Sequence, residues 1–320
     1  MSRTVALTGA TGFIGSTLAT VLQRAGWEVR ALVRPGTTAK HLTDLSIARV
    51  TGTLEDVESL RSLVADADAV VHCAGAVRGA TQCDFRRVNV TGVERLAAAA
   101  GLQTPPPFFL LISSLAAREP QLSAYAASKR DGERALQDKA GSMPWVILRP
   151  PAVYGPGDRE MLPLFRWMMH GIALVAGARR ARFSLLYVDD LATAVARLLE
   201  QRDTQGATFE LHDGHPDGYS WDDIVSTVRE LRGSHVIRVR VPVQLLRLVA
   251  AINAGTARLF KRSPMLTPGK VRELSHPDWV SNNQAIHRAT GWQPSVLLEE
   301  GLRKTLGLPA SSIGVAPDQP

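Results

Sequence analysis

The chain has 320 residues, enough for one large hydrophobic core or two modest ones. Hydrophobic residues make up 45% and charged residues 21%, a globular balance that excludes a disordered or fibrous chain. The net charge of +7 is local, because nine Lys or Arg and no Asp or Glu lie between Arg232 and Arg272; basic residues are not spread among aromatics as in a nucleic-acid binder, and no nucleic-acid partner is expected.

No run of about 18 apolar residues is present, which argues against a membrane span. With Met1–Arg3 alone ahead of the first strand, no secretory signal is expected. Cys73 and Cys83 suggest no disulfide framework, and a cytoplasmic setting is the simplest expectation. No cluster of residues has metal-ligand spacing, so no metal is expected.

In chain order, Val5-Ala6-Leu7 predicts a short buried strand, followed by glycines at 9, 12 and 15. Phe13, Ile14, Thr17, Leu18, Val21 and Leu22 then share one helical face. Strand, glycine loop and helix form a phosphate-binding context, in which Gly9, Thr11, Gly12, Phe13, Ile14 and Gly15 would hold a pyrophosphate at the helix N-terminus. A second strand over Glu28–Arg34 ends in Arg34-Pro35-Gly36. An acid there would accept from adenosine ribose hydroxyls, whereas a guanidinium suits a 2′-phosphate; Arg34 therefore favours NADP over NAD, the alternative being a solvated Arg opening a turn.

Ala48–Thr51 predicts a third strand, with Asp56 opening the helix that runs through Leu63. A fourth strand, Ala69 to Cys73, runs into Ala74-Gly75, and a long helical stretch from about Cys83 to Ala100 contains Asn89. Pro105–Pro107 precede strand five, Phe108–Ile112, which ends in Ser113-Ser114. This alternation predicts an α/β fold, a doubly wound parallel sheet with ligands beyond the carboxyl ends of its strands. Tyr125 and Lys129, four apart on the next helix, share one face.

Here the sequence resembles the extended, epimerase-like branch of the short-chain dehydrogenase/reductases. The matching segments are T-G-A-T-G-F-I-G at 8–15, H-C-A-G at 72–75, N-V-T-G at 89–92, Ser113-Ser114 and Y-A-A-S-K at 125–129. L-R-P-P-A-V-Y-G-P-G-D at 148–158, Y-V-D-D-L-A at 187–192 and G-W-Q-P at 291–294 with L-L-E-E-G-L at 297–302 follow in the family's order. The resemblance spans about residues 4–307. It implies a Rossmann domain over 1–155, with 186–212 returning to it, a smaller C-terminal substrate lobe mainly over 156–308, and a flexible tail at 309–320.

The resemblance also implies roles. Tyr125 would be the general acid/base, Lys129 would lower its pKa and hold the nicotinamide ribose, and Ser114 would bond the reacting oxygen. Strand alternation turns Ser113 the other way. Ala74, Gly75, Pro150 and Val153 would line the cofactor, Asp56 would meet the adenine, and Asn89 would sit at a relay or helix-shaping position. A helix N-terminal acid explains Asp56 equally well, and a buried helix Asn explains Asn89 equally well. His72 and Cys73 read as strand-end packing rather than chemistry.

The acidic NAD selector is absent, and the stretch from Ser114 to Tyr125 lacks the long loop of nucleotide-sugar epimerases. The expected function is an NADP-dependent oxidoreductase interconverting a secondary alcohol and a ketone on a small-molecule substrate by a Ser-Tyr-Lys mechanism. Alternatives are a sugar-nucleotide epimerase/dehydratase with tightly held cofactor, and a non-catalytic cofactor-binding structural or sensor protein. Trp167-Met168-Met169 fits an apolar pocket or a helix core face, and Arg179–Arg182 a solvated hairpin edge. The apolar, helical stretch 241–252 could roof a substrate pocket, form a homodimer interface or lie on an anionic membrane surface. The roof is preferred at this stage, and little vesicle binding is expected.

Overall fold

The computed structural model describes residues 3–177, 180–201, 204–259 and 266–309, without the side chains of 254 and 256–259. Apolar runs buried on both faces give parallel strands with helices between them. The strands are β1 (Arg3–Thr8), β2 (Trp27–Val33), β3 (Ala48–Thr51), β4 (Ala69–His72), β5 (Phe108–Ile112) and β6 (Trp145–Arg149). Beyond them lie β7 (Ala152–Tyr154), β8 (Ile172–Val175), β9 (Arg182–Phe183), β10 (Leu185–Tyr187), β11 (Ala207–Glu210), β12 (Ile237–Arg240) and β13 (Asp278–Trp279). Strands β1 to β6 and β11 form a seven-stranded, wholly parallel sheet in the order β11-β6-β5-β4-β1-β2-β3. The order reverses between β1 and β4, which opens a crevice at the carboxyl ends of those two strands.

The core helices are α1 (Phe13–Arg24), α2 (Lys40–Asp44), α3 (Val57–Val64), α4 (Gln82–Arg86), α5 (Gly92–Gly101) and α6 (Ala124–Ala140). Strand alternation divides the core. Val5, Leu7, Phe108 and Leu110 meet α1, whereas Ala6, Phe109 and Leu111 meet α3, α5 and α6 through Leu60, Leu96 and Leu136. Each such Leu or Phe contributes roughly 1.5–3 kcal/mol on burial.

The later helices are α7 (Leu162–Met169), α8 (Val188–Glu200), α9 (Trp221–Arg232), α10 (Val243–Leu259), α11 (Pro268–Ser275), α12 (Gln284–Thr290) and α13 (Leu298–Leu306). A separate lobe core gathers Tyr154, Phe165, Met168, Ile224, Val228 and Leu302. Met168 is therefore a core residue, while its neighbour Trp167 is exposed. The chain returns to the dinucleotide core through α8 and β11, and again near α12, where Ile286 and Trp292 join the α1 side. The buried Asp190 carboxylate explains two of the family-like segments at once. It accepts from Ser295 N (3.0 Å), Ser295 Oγ (2.8 Å) and Val296 N (2.9 Å), while Trp292 Nε1 donates to Thr193 Oγ1 at 3.0 Å.

Several sequence expectations need correction. β2 stops at Val33, because Arg34 already belongs to a turn in which its carbonyl accepts from Thr37 N. The helical stretch after Thr81 is interrupted by a π-turn at Arg87–Thr91, between α4 and α5. The arginine run is no hairpin edge: Arg182 lies in β9, which pairs in parallel with β13, and its guanidinium donates to Gly218 O at 2.9 Å. Arg179 and the tail from 310 onward lie outside the described residues, as do Lys261, Arg262 and the side chain of Arg258.

Candidate active site

The glycine loop is built by close backbone approach. Gly9 has φ +78°, and a side chain there would put Cβ 2.7 Å from Ala74 N, at the end of β4. A Cβ on Gly15 would stand 2.0 Å from Gly9 O, so α1 can start this near the loop only with glycine there. Gly12 N donates to Gly9 O at 2.9 Å, and no side chain caps the first turn of α1. The N–H groups of that turn, with Thr11, Phe13 and Ile14 around them, are thus available to an anion. Arg34 stands exposed at the end of β2, and among the described residues its guanidinium makes no hydrogen bond or ion pair. These features fit a nicotinamide dinucleotide, with bare backbone for the pyrophosphate and a free cation where the adenosine ribose would lie.

Across the crevice, β4 ends beside β1, and Thr8 fastens the junction. Its Oγ1 accepts from Ala74 N at 3.2 Å and lies 2.7 Å from His72 Nδ1. Burial, and then the charge of Lys129, push His72 down to about 3; burial pushes the Cys73 thiol up to about 12 against Lys129. Neither is a proton carrier near neutrality, which agrees with a packing role. Asp56 caps α3, its Oδ1 accepting from Glu58 N and Ser59 N. Asn89 sits in the π-turn and uses its whole amide within the protein. It accepts from Ala76 N (2.8 Å) and donates to Ala76 O (3.0 Å) and Ser128 Oγ (2.9 Å), holding the loop after Gly75 against α6.

Ser114 is the second residue after β5, and Tyr125 lies in the first turn of α6, which Ser123 caps by accepting from Ala126 N at 2.9 Å. The structure thereby brings together Ser114, Tyr125 and Lys129 at the carboxyl end of the sheet. The Ser114 hydroxyl acts on the Tyr125 phenol, favouring its ionised form, and Phe85 meets the Tyr125 ring edge-on at 6.0 Å. Lys129 Nζ donates to Ile112 O at 2.8 Å, while Gly75 lies close by. Pro150 O accepts from Leu115 N at 2.8 Å, which draws the stretch toward Val153 alongside the Ser114 loop.

The electrostatics differ from the sequence expectation in one respect. Tyr125 is pushed up to about 12, chiefly by burial and also by Glu273, with the Ser114 hydrogen bond acting the other way. Lys129 is pulled down to about 8 by burial, against Cys73 and Glu133. The Lys129 amine is bound to the Ile112 carbonyl, and the net position of Tyr125 is above its ordinary value rather than below it. The phenol is held protonated, as a proton donor.

Two supports were not read from the sequence. Glu133, one turn beyond Lys129, is buried and accepts from Ser113 Oγ (2.6 Å), Arg149 Nε (2.8 Å) and Arg149 Nη2 (2.6 Å). Ser113 thus faces away from the crevice, as alternation predicts. Glu273 of α11 holds Ser123 Oγ and binds Lys270 Nζ at 3.1 Å, so the lobe grips the start of α6. The i, i+4 spacing of Lys129 and Glu133 was a readable signal; Glu273 had none.

The family model described as the NAD dependent epimerase/dehydratase family matches residues 5–211. The chain belongs to that family. It is an NAD(P)-dependent short-chain dehydrogenase/reductase of the extended type. It is 34% identical to a ceramide reductase of Caulobacter vibrioides, over 91% of this chain and 96% of that protein. Identity to a 2-alkyl-3-oxoalkanoate reductase of Stenotrophomonas maltophilia is 26%, over 94% of this chain and 97% of the other. A solved UDP-glucuronic acid 4-epimerase from Bacillus cereus, in complex with NAD, shares the fold at 18% identity and a TM-score of 0.75, covering 95% and 98% of the two chains. Among the described residues no helix is long and apolar enough to cross a membrane.

Proposed function

We propose that the protein is an NADP(H)-dependent ketoreductase acting on an amphiphilic ketone with a long hydrocarbon part. The observation that carries the reading is the meeting of Ser114, the buried Tyr125 phenol and Lys129, whose Nζ is bound to Ile112 O, at the carboxyl end of β5. A ketone gaining hydride needs a proton at oxygen, and a phenol held neutral supplies one. The named substrates of the ceramide and 2-alkyl-3-oxoalkanoate reductases support the substrate class.

The nicotinamide, when bound, supplies the hydride. Ser114 Oγ donates to the substrate oxygen and fixes its place as charge develops there. Tyr125 passes its proton to that oxygen, and the resulting phenolate is stabilised by the nearby Lys129 ammonium. Lys129, anchored on Ile112 O, also faces the cofactor side of the crevice beside Gly75. Arg34 holds the 2′-phosphate. The direct test is NADPH consumption with a panel of long-chain ketones; cofactor that copurifies and turns over with no net redox would instead mark an epimerase.

Cofactor choice gives a second test. The Arg34 contact to a 2′-phosphate contributes about 1.5–3 kcal/mol, so Arg34→Asp should weaken NADPH binding by roughly 10- to 150-fold and move preference toward NADH. Equal binding of NADH and NADPH by the native protein in calorimetry would overturn the assignment.

The pH profile gives a third. Lys129 loses its proton near pH 8, whereas Tyr125 stays protonated to about 12. Ketone reduction should therefore be level through neutral pH and fall above about pH 8 as the ammonium that stabilises the phenolate is lost. A profile level to pH 10 would remove the Lys129 charge from the mechanism.

A further inference from the structure

The exposed large apolar residues are concentrated in one part of the lobe. In the parallel pair β8–β12, Ile172 stands opposite Ile237 and Leu174 opposite Val239, and all four side chains are exposed. They lie on one face of the pair, since the intervening Ala173 and Val175 are buried. Two residues after β12, α10 begins with a second apolar face. Leu245, Leu248, Val249 and Ile252 are 50%, 58%, 45% and 59% exposed. At 100° per residue they occupy an arc of about 100°. Ala250, which is fully buried, and the half-buried Val243 and Leu246 lie on the other side of the helix. The apolar stripe is therefore turned away from the side that packs.

Charge indicates what such a stripe would meet. From Arg232 to Arg272 the sequence has nine basic residues and no acidic one. Arg247 is exposed on α10, away from the stripe around the helix, and Arg258, Lys261 and Arg262 follow in sequence. A helix with one apolar face, set in a stretch of sequence with an excess of cations and no anions, matches an anionic lipid interface, where it lies flat. A second copy of this chain would bring the same positive charge to the contact.

α10 is linked to the active site through α11. α10 packs on α11, and α11 holds the start of α6 through Glu273 to Ser123 and through Arg272 Nε to Leu122 O at 2.7 Å. Tyr125 is two residues beyond Ser123.

We infer that the outer face of α10 docks the protein on an anionic phospholipid surface, so that an amphiphilic ketone reaches Tyr125 from the bilayer. The docking is independent of the ketoreductase reading, and only the delivery of substrate rests on it.

The test is flotation of the full-length protein with vesicles of phosphatidylcholine, alone or mixed equally with phosphatidylglycerol. Binding is expected with the anionic vesicles and should fall as salt rises through about 0.15 M. Leu245→Glu with Leu248→Glu should lower it by about tenfold or more. NADPH affinity, which neither change touches, reports that the variant is folded. Turnover of a short, water-soluble ketone should be unchanged, while turnover of a vesicle-embedded ketone should fall with binding. Absence of flotation at low salt would overturn the proposal. So would a native dimer that the double substitution splits without any vesicle binding, since the face would then belong to a second copy. If vesicles bind but no ketone is reduced, the docking stands and the functional reading fails.

Discussion

Tyr125→Phe should lower single-turnover hydride transfer by about 10²–10⁴-fold, a barrier increase of roughly 3–5.5 kcal/mol. The substitution removes one hydroxyl and keeps the ring, so the edge-on contact with Phe85 at 6.0 Å survives. Ser114 loses the phenol but continues to accept from Ala116 N at 3.2 Å, so the loop after β5 keeps its shape. The glycine loop and Arg34 lie on β1–α1 and β2, away from α6, and NADPH binding should stay close to native. Lys129→Met should weaken turnover and NADPH binding together, because the amine serves both the phenolate and the cofactor side. Ser114→Ala should mainly lower turnover. Stopped-flow reduction of an accepted ketone, beside a separate NADPH titration, separates these outcomes. Unchanged hydride transfer in Tyr125→Phe would remove the acid/base assignment, however well the cofactor binds.

What could be read in advance divides along physical lines. Parallel strands buried on both faces must be apolar runs, so β1, β4 and β5 are visible in sequence as Val5–Leu7, Ala69–Val71 and Phe108–Ile112. Gly9 and Gly15 are visible because their backbones approach Ala74 and each other too closely for any Cβ. Tyr125 and Lys129 are local, four residues apart on one helix. The π-turn around Asn89 is different: a single widened turn leaves the apolar pattern on either side nearly unchanged. Glu273 reaches Ser123 across 150 residues, and nothing near either residue announces the other. In α10 the helix itself was legible and its orientation was not. Val243, Leu246 and Ala250 are apolar as well, so the periodicity gives two candidate faces and only tertiary packing selects one.

Removing the Glu133 carboxylate should produce the largest loss of stability outside the hydrophobic core. Glu133 is 2% exposed and receives two hydrogen bonds from Arg149, one from Ser113 and one from Arg130 Nη1 at 3.2 Å. The pairing holds Arg149 above the usual guanidinium range, against a desolvation that acts the other way. Glu133→Ala would leave that largely buried cation and the Ser113 hydroxyl without their acceptor, which costs about 3–5 kcal/mol. Glu133→Gln keeps the shape and one acceptor, and should cost less, about 1–3 kcal/mol. Replacing both partners by apolar residues, Glu133→Leu with Arg149→Met, should recover much of the loss, because no buried charge is then left alone. Urea midpoints of the three variants and the native protein give the comparison. The same variants report on the active site. Glu133 lies one turn from Lys129 and favours its charged form, so losing the carboxylate should draw the Lys129 pKa further down. The alkaline fall in ketone reduction should then begin at lower pH in Glu133→Gln than in the native enzyme. A stability loss below about 1 kcal/mol in Glu133→Ala would mean that water or another group already compensates Arg149. An unmoved alkaline limb would separate Glu133 from the charge on Lys129.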